Sequence, residues 1–372
     1  MIRLNCWRGI GGPKISMPTT EDQFYQDQAS IPFIQAGGAI KAEHCRMKSF
    51  RYFLEINSQC NLFCPTCTKG NQKGYEHQTG LMDPALMEKI IDKIKSENPE
   101  AIVFLYGNSE PFIHPRLAEC IASVKRRGLN CQLSTNLNFI RNVDGVLAAK
   151  PDMIIISLSG FTQDVYVKGH AGGNIEKVKE HMKVLAEAYA KTDKATAISV
   201  NYHVYTDNGH EIALMKEYAK GLGIGFFTSY ARAISMENAI QYNRNLDANT
   251  TPFEIQPGRP DLNVALPPIG QTYIDAMKRL VIPPNKAPEM FKDFPTHSVC
   301  PIGWMFCFIR HDGKTEMCAC VADRRLTLGD YLDNTQDQLI EQRTGHAICL
   351  QCTKYHLRYY FHMSHPDQYT KG

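Results

Sequence analysis

The sequence predicts an α/β fold, in which a partial (β/α)6 parallel barrel is followed by a small auxiliary cluster subdomain that contains a β-hairpin. Two observations predict it. Between about residues 50 and 230, apolar segments of strand length alternate with amphipathic segments of helix length, which is typical of a parallel sheet covered by helices. Between residues 300 and 352 lie six of the 13 cysteines, which indicates a distinct small module. A chain of 372 residues has room for both units.

The elements of the barrel follow from periodicity, taken in chain order. Short apolar runs bounded by turn residues predict strands at Tyr52–Ile56, Ala101–Tyr106, Cys131–Thr135, Met153–Leu158, Thr196–Val204 and Ile224–Thr228. Apolar residues at helical spacing predict helices at Pro84–Ser96, Pro115–Arg127, Leu137–Ala149, Asn174–Ala190 and Ile212–Gly221. The first helix has Asp83 as its N-cap and Pro84 at its first position, and Gly128 ends the second. We expect the active site at the C-terminal ends of the strands.

Composition divides the chain into four segments. Residues 1–48 are an irregular extension rich in glycine and proline, and residues 49–234 are the barrel. Residues 235–298 contain many prolines and one predicted helix, Thr272–Arg279, and this connection is either a wall of the substrate site or a plain linker. Residues 299–372 are the auxiliary subdomain, with a hairpin that turns at Asp312 and Gly313.

Charge and hydropathy exclude some classes of function. The chain has 41 basic and 38 acidic side chains, so a net charge of +3 gives no overall attraction to nucleic acid or to an anionic membrane. The N-terminus lacks the apolar core of a signal peptide, and no run of about 20 apolar residues could span a bilayer. We therefore expect a cytoplasmic protein without a membrane or nucleic-acid partner, in which clustered cysteines serve metal binding or catalysis.

The first cysteine group directly follows the first predicted strand. Cys60, Cys64 and Cys67 have the spacing C-x3-C-x2-C. Three thiolates can hold three irons of a 4Fe–4S cluster and leave the fourth iron open to another ligand. The alternatives are three buried core cysteines and a zinc site, although zinc is usually held by four ligands arranged as C-x2-C pairs.

The second cysteine group lies near the C-terminus, where Cys349 and Cys352 form a C-x2-C pair. The same region contains Cys300, Cys307, Cys318 and Cys320, and clustered cysteines of this kind are typical of a metal site, of which a structural zinc ribbon is one candidate. The remaining four are interpreted as structural and are Cys6, Cys45, Cys120 and Cys131.

The cysteine spacing and four further segments resemble the radical S-adenosylmethionine (SAM) enzymes over about residues 50–230. Gly107-Asn-Ser-Glu110-Pro is similar to the family's Gly-Gly-Glu-Pro motif, and Leu133-Ser-Thr-Asn136-Leu is similar to its Thr-Asn-Gly turn. Ile156-Ser157-Leu-Ser159-Gly160 resembles the Ser-Leu-Asp-Gly strand end. The stretch from Tyr166 to Asn174 resembles a glycine-containing lead into a helix.

This resemblance implies a SAM-bound 4Fe–4S cluster and a deoxyadenosyl radical that abstracts a hydrogen atom. Glu110, with backbone groups of its motif, would receive the amino group of SAM. The residues that match the cofactor-binding motifs are Thr66, Gly107, Asn108, Ser109, Glu110, Ser134, Asn136 and Ser157. Thr66 departs from the family, which commonly has an aromatic residue there, and no adenine motif appears near the fifth strand. Members also need an external electron donor such as flavodoxin or ferredoxin.

The C-terminal cysteines and the phrase Leu326-Thr-Leu-Gly-Asp330 resemble the SPASM and twitch subdomains of the same family. That likeness implies one auxiliary 4Fe–4S cluster on Cys300, Cys318, Cys349 and Cys352. Some related epimerases return a hydrogen atom from a free cysteine, which makes Cys320 and Cys307 candidate catalytic residues beside the simpler interpretation of inert thiols.

Three hypotheses of function remain. The first is an oxidoreductase or epimerase acting on a small polar, sugar-like or aminocyclitol-like molecule. The second is a maturase that modifies a ribosomally made precursor peptide, which the short, glycine-rich residues 1–48 disfavour because they do not resemble a peptide-recognition domain. The third is a zinc-binding nucleic-acid module, which the charge balance disfavours.

Overall fold

The computed structural model describes residues 50–71, 79–246, 269–293, 300, 303, 306–343 and 346–362. The predicted N-terminal extension, with Cys6 and Cys45, lies outside the described residues, as does part of the proline-rich connection. Within the part of the chain that the structure describes, every helix is too short or too polar to cross a lipid bilayer.

Nine strands form one sheet, in the order β6-β5-β4-β3-β2-β1-β7-β8-β9. The strands are β1 (Arg51–Leu54), β2 (Ile102–Phe104), β3 (Asn130–Thr135), β4 (Met153–Leu158), β5 (Ala197–Val204), β6 (Gly225–Tyr230), β7 (Phe306–Ile309), β8 (Lys314–Glu316) and β9 (Thr327–Asp330). Neighbours from β6 to β7 are parallel, and β8 and β9 are added antiparallel. The predicted α/β class, with parallel strands first and antiparallel strands last, is confirmed.

Side chains alternate between the two faces of the sheet, as the period of two in a strand requires. One face is fully buried, and Tyr52 and Leu54 of β1 lie on it with no exposed surface. The Tyr52 hydroxyl contacts Asn98, which ends the first helix, so this face packs against the helices. The other face, here called the open face, carries half-buried side chains such as Phe53 of β1 and Ser134 of β3.

Twelve α-helices occur in the described residues. They are α1 (Pro84–Glu97), α2 (Leu117–Arg126), α3 (Val143–Ala148), α4 (Gln163–Gly169), α5 (Ile175–Ala190), α6 (Ile212–Gly221), α7 (Met236–Leu246), α8 (Gln271–Arg279), α9 (Ala287–Met290), α10 (Gln336–Arg343), α11 (Ala347–Lys354) and α12 (Leu357–His362). Asp83 accepts a hydrogen bond from the Leu86 amide at 3.0 Å and Pro84 begins α1, so the predicted cap is confirmed.

One helix prediction had the wrong bounds, and two helices were not predicted. The helix predicted over Leu137–Ala149 is limited to α3, because Leu137 and Asn142 have positive φ angles of 53° and 49°. The predicted lead-in to the helix at Asn174 also includes part of α4, which was not predicted. The segment from residue 235, predicted as an irregular connection, begins with α7, since the prolines start only at Pro252.

The predicted hairpin is confirmed, with β7 antiparallel to β8 and Gly313 at φ 82° in the turn. One strand pairing was not predicted: β7 also pairs in parallel with β1, with Tyr52 opposite Cys307. The auxiliary region therefore continues the sheet of the barrel. The four-segment division itself stays a prediction.

Candidate functional site

The loop after β1 brings the first cysteine group together. The Cys67 amide donates to the Cys64 carbonyl oxygen at 3.1 Å, which closes a tight turn. The chain then folds back so closely that a Cβ on Gly70 would lie 2.8 Å from the carbonyl carbon of Cys64. Only glycine fits there without displacing the backbone between the second and third cysteines. The fold of this loop thus depends on Gly70 as well as on the cysteines.

The thiols of Cys60, Cys64 and Cys67 lie close enough together to affect one another's pKa. Burial raises the pKa of Cys60 to about 12. Burial, followed by the neighbouring Cys67 and Cys60, raises the pKa of Cys64. Three half-buried, neighbouring thiols are costly to ionise together, and bound iron would compensate the three thiolate charges. The donor set therefore fits the open three-cysteine cluster. No three His, Cys, Asp or Glu side chains among the described residues form a site for a single metal ion.

Glu110 joins the ends of β2 and β3. Its Oε1 accepts hydrogen bonds from Thr135 Oγ1 at 2.7 Å and from the Phe112 amide at 3.1 Å. Its Oε2 accepts one from the Asn136 amide at 2.7 Å. Burial raises the pKa of Glu110 to about 7, against the lowering effect of these donors. These three hydrogen bonds hold the ends of β2 and β3 together. Oε2 accepts only one of them, so it can accept a further hydrogen bond from a ligand amine.

Asn136 connects this network to the cysteine loop. Its Nδ2 donates to Asn61 Oδ1 at 2.9 Å and approaches Cys60 Sγ at 3.8 Å. Asn61 stands directly after Cys60 in the chain. The structure thus brings the predicted Thr-Asn turn and the predicted cysteine motif into contact, at the C-terminal ends of β1 and β3.

Other predicted cofactor residues lie at the same edge of the sheet. Ser134 and Ser157 share a hydrogen bond of 2.9 Å between their hydroxyls on the open face, and Thr66 Oγ1 lies 3.5 Å from Tyr205 Oη. Gly107 lies so close to Glu55 that an added Cβ would be 3.2 Å from Glu55 Cβ. Ser109 Oγ is buried and has no partner among the described residues, so it offers a hydroxyl to a ligand.

The other three cysteines of the second group lie near enough to Cys352 to affect its pKa, although no three of them form a single-metal site among the described residues. Burial, followed by Cys300, Cys349 and Cys318, raises the pKa of Cys352. Cys349 and Cys352 lie one turn apart on α11, which explains the C-x2-C spacing. These four thiols have the chemistry of a complete cluster ligand set, so the residues present fit a second cluster.

The two candidate catalytic cysteines differ in position. Cys320 hydrogen-bonds Cys318, which raises the pKa of Cys320 and lowers that of Cys318, and Cys352 is another neighbour. Cys307 has no exposed surface and lies opposite Tyr52, on the face of the sheet that packs against the helices. The structure brings Cys320 to the second group and brings Cys307 to neither group. This position turns Cys307 away from the open face and disfavours it as a hydrogen donor.

Two contacts that the sequence did not predict connect the barrel motifs to the auxiliary region. The Asn108 side chain donates to the Ala319 carbonyl oxygen at 3.4 Å, between Cys318 and Cys320. The Arg324 guanidinium pairs with Glu55, which follows β1, and with Glu316 of β8 at 2.9 Å. Glu55 and Arg324 are 269 positions apart, so no local pattern could have indicated the pair.

Comparison with known families and curated proteins gives three matches. The family model described as "Radical SAM superfamily" matches residues 54–218. A "Tungsten-containing aldehyde ferredoxin oxidoreductase cofactor-modifying protein" of Pyrococcus furiosus is 30% identical over 178 residues, which are 46% of this chain and 48% of that protein. The match thus spans about half the length of that relative. A "Probable GTP 3′,8-cyclase" of Methanococcus maripaludis is 24% identical over 312 residues, 82% of this chain and 92% of that protein.

The solved structures to which the chain is similar include SuiB and BtrN. Streptococcus suis SuiB bound to S-adenosylmethionine is 11% identical, with a TM-score of 0.49 over 80% of this chain and 68% of that chain. BtrN in complex with AdoMet and 2-DOIA is 12% identical, with a TM-score of 0.42 over 81% of this chain and 91% of that chain.

Proposed function

Residues 54–218 belong to the radical SAM superfamily, and from that membership we propose that the chain is a radical SAM oxidoreductase or epimerase acting on a small polar, sugar-like or aminocyclitol-like molecule. That membership implies a radical SAM enzyme with a 4Fe–4S cluster and SAM, and it disfavours the hypothesis of a zinc-binding nucleic-acid module. The proposed part is the substrate class and the outcome of the reaction.

One observation carries the cofactor assignment: the loop with Cys60, Cys64 and Cys67 lies in contact with Asn136, at the edge of the sheet where Glu110 orders the strand ends. A 4Fe–4S cluster held there would supply the one-electron chemistry that splits SAM into methionine and a 5′-deoxyadenosyl radical able to take one hydrogen atom from a substrate. The chain would hold the SAM amino and carboxylate groups near Glu110 Oε2 and the Ser109 hydroxyl, which is buried without a partner among the described residues. Ser134 and Ser157 offer further hydroxyls.

The second cysteine group supports oxidation. With Cys300, Cys318, Cys349 and Cys352 as ligands, every iron of an auxiliary cluster has a protein thiolate, and none is open to substrate. Such a cluster would accept the one electron that a substrate loses after hydrogen abstraction, while the accompanying proton passes to water. An external carrier such as flavodoxin or ferredoxin would take up that electron and would also supply the electron needed by a cluster on Cys60, Cys64 and Cys67. A cytoplasmic location is part of the same proposal.

Epimerisation is the other outcome, and it would use Cys320. In that reaction the substrate radical takes a hydrogen atom from the Cys320 thiol on the opposite face, and the resulting thiyl radical needs one electron and one proton to return to the thiol. Cys320 is buried beside Cys318, a ligand of the proposed cluster, which is a nearby source of that electron. Cys320→Ala separates the outcomes: an oxidase keeps its turnover, whereas an epimerase keeps hydrogen abstraction and loses product.

A precursor peptide is the second candidate substrate. On the open face, the ring of Phe53 stacks on Phe104 and on Phe308, each with ring centroids 4.6 Å apart. Tyr106 packs edge-on against Phe53 at 5.5 Å. Apolar side chains of a peptide would fit this aromatic surface, which a free sugar would contact only with its C–H faces.

The experiment that tests the substrate class measures hydrogen abstraction directly. The reconstituted enzyme is incubated with SAM, a reductant and deuterated candidates, one set of aminocyclitols and one set of short peptides. Deuterium in 5′-deoxyadenosine, formed in step with product, identifies the substrate class. Deuterium transfer from peptides and from no polyol would contradict the first candidate and support the second.

A further inference from the structure

A short segment between β6 and α7 connects the two cysteine loops. This segment, here called the strap, comprises residues 231–237 and includes the first two residues of α7. Ala233 and Glu237 have no exposed surface, and Ser235 is 1% exposed. A connection after a strand of this kind is usually a surface loop. Burial of five of the seven strap residues, all except Arg232 and Ile234, indicates that its backbone groups are used by neighbouring elements.

The N-terminal part of the strap contacts the first cysteine loop and the last helix. The Ile234 amide donates to the Thr66 carbonyl oxygen at 2.7 Å, and Thr66 lies between Cys64 and Cys67. The Ala233 amide donates to the Tyr360 hydroxyl at 3.2 Å, and Arg232 Nη1 donates to the Phe361 carbonyl oxygen at 2.7 Å. This end is therefore fixed relative to the loop of the radical cluster.

The C-terminal part of the strap contacts the second cysteine loop. The Met236 amide donates to the Cys320 carbonyl oxygen at 2.5 Å. The Glu237 carboxylate accepts hydrogen bonds from the amides of Ala322 and Asp323, all at 2.9 Å. A fully buried carboxylate is costly unless such donors compensate it, so Glu237 favours one conformation of the loop that carries Cys318 and Cys320.

We propose that Glu237 is a positioning residue for the auxiliary cluster: through the strap it holds the Cys318–Asp323 loop at a fixed place relative to the loop of the radical cluster. This inference rests on the proposed function, because it requires both clusters. Electron transfer between a substrate radical and a cluster needs a constant arrangement of the two. The strap is only a few residues long, and it hydrogen-bonds to both cysteine loops. The Asn108 contact with Ala319 is a second link between the same two regions.

Glu211 offers a matched control. It is 3% exposed and accepts hydrogen bonds from the amides of Phe161 and Thr162, at 2.6 and 3.1 Å, much as Glu237 does. Its carboxylate also accepts from Thr162 Oγ1. Neither residue that it holds belongs to a cysteine loop. Glu211→Gln therefore removes a buried carboxylate of the same kind without touching the link between the clusters.

The test compares the wild type, Glu237→Gln, Glu237→Asp and Glu211→Gln after anaerobic reconstitution. Iron and sulfide per chain, the EPR spectrum of the reduced protein and the reduction potential of the auxiliary cluster are measured. We expect about eight irons in the wild type, from two four-iron clusters. We expect Glu237→Gln to lose the auxiliary signal or shift its potential while SAM cleavage persists, Glu237→Asp to recover part of the signal, and Glu211→Gln to match the wild type.

Three results would overturn the proposal. In the first, Glu237→Gln keeps full iron and an unshifted auxiliary potential. In the second, Glu211→Gln loses the auxiliary signal equally. In the third, the wild type binds about four irons that Cys64→Ala removes, which eliminates the auxiliary cluster and leaves the radical SAM assignment intact. A wild type that binds no iron would instead refute the proposed function as well.

Hydrogen exchange on the loaded wild type decides the matter if Glu237→Gln is insoluble. The proposal requires slow exchange of the Ala322 and Asp323 amides, comparable to that of the central strands. Fast exchange at these two amides would overturn it, because a loop that opens freely is not held by Glu237.

Discussion

Gly70 is the residue outside the cysteines on which the radical-cluster loop most depends. In Gly70→Ala, the new Cβ would lie 2.8 Å from the carbonyl carbon of Cys64 and 2.9 Å from that of Phe63, and closer still to the Cys64 carbonyl oxygen. Ordinary contact begins at 3.4 Å, so the carbonyl carbon of Cys64 must move by at least 0.6 Å (3.4 minus 2.8). Both neighbours are backbone atoms, which cannot rotate away as a side chain does.

That displacement is large on the scale of metal binding. Metal–ligand distances are held to within about 0.2 Å, so a shift of 0.6 Å in the backbone of Cys64 is about three times the tolerance. The cost to the fold is smaller, because overpacking typically costs about 1–3 kcal/mol out of a total stability of about 5–15 kcal/mol. We therefore expect Gly70→Ala to fold and to lose the radical cluster.

The assay measures iron per chain and 5′-deoxyadenosine formed from SAM, after circular dichroism has confirmed folding. Gly221→Ala is the matched control, since an added Cβ at Gly221 meets no atom within 4 Å. We expect Gly221→Ala to bind iron and cleave SAM like the wild type. Full iron loading together with wild-type SAM cleavage in Gly70→Ala would refute the reasoning.

Four further changes test other parts of the structure. Cys349→Ala removes one ligand of the second group, so SAM cleavage should continue while product formation stops; undiminished product would remove the auxiliary cluster from the mechanism. Arg324→Met should cost about 3–5 kcal/mol by leaving Glu55 buried without its partner, and a denaturant midpoint equal to the wild type would contradict this. Burial lowers the pKa of His170 to about 3, below the usual 6.5, so the unfolded chain binds the extra proton and stability falls as the pH drops from about 6.5 towards 3. His170→Gln should reduce this loss of stability at acid pH, measured by denaturant titration at a series of pH values. An unchanged loss of stability would mean that other titratable groups cause it. Asp83→Ala removes the N-cap of α1 and should cost about 1 kcal/mol, so a melting temperature identical to that of the wild type would contradict the cap.

Local patterns predicted the elements of the barrel well. All six strands predicted between residues 50 and 230 begin and end within two residues of their observed bounds because strand periodicity and turn residues are local signals, and β4 matches at Met153–Leu158. The helix prediction failed in the segment directly after β3. Its apolar residues have helical spacing, yet Leu137 adopts a positive φ because Asn136 and Thr135 bond to Glu110, a contact across 25 or more residues.

Spacing predicted the group Cys60, Cys64 and Cys67, and the family resemblance predicted Cys300, Cys318, Cys349 and Cys352 as a second group; both ligand sets remain predictions. The links between the groups were not predictable. Glu237 reaches Ala322 over 85 positions, and the preceding sequence has no pattern that marks a buried strap. The pairing of β7 with β1 is likewise long-range, so the sequence suggested a separate subdomain where the sheet is continuous. The position of Cys307 on the packed face follows from that pairing.

The central claim is that the loop after β1 holds the cluster that cleaves SAM. The most direct measurement is the yield of 5′-deoxyadenosine and methionine from SAM, with dithionite as reductant, for the anaerobically reconstituted wild type and for Cys64→Ala. The account predicts equal amounts of both products from an iron-loaded, brown wild type and none from Cys64→Ala. A wild type that binds no iron, or a Cys64→Ala variant that cleaves SAM at the wild-type rate, would contradict it.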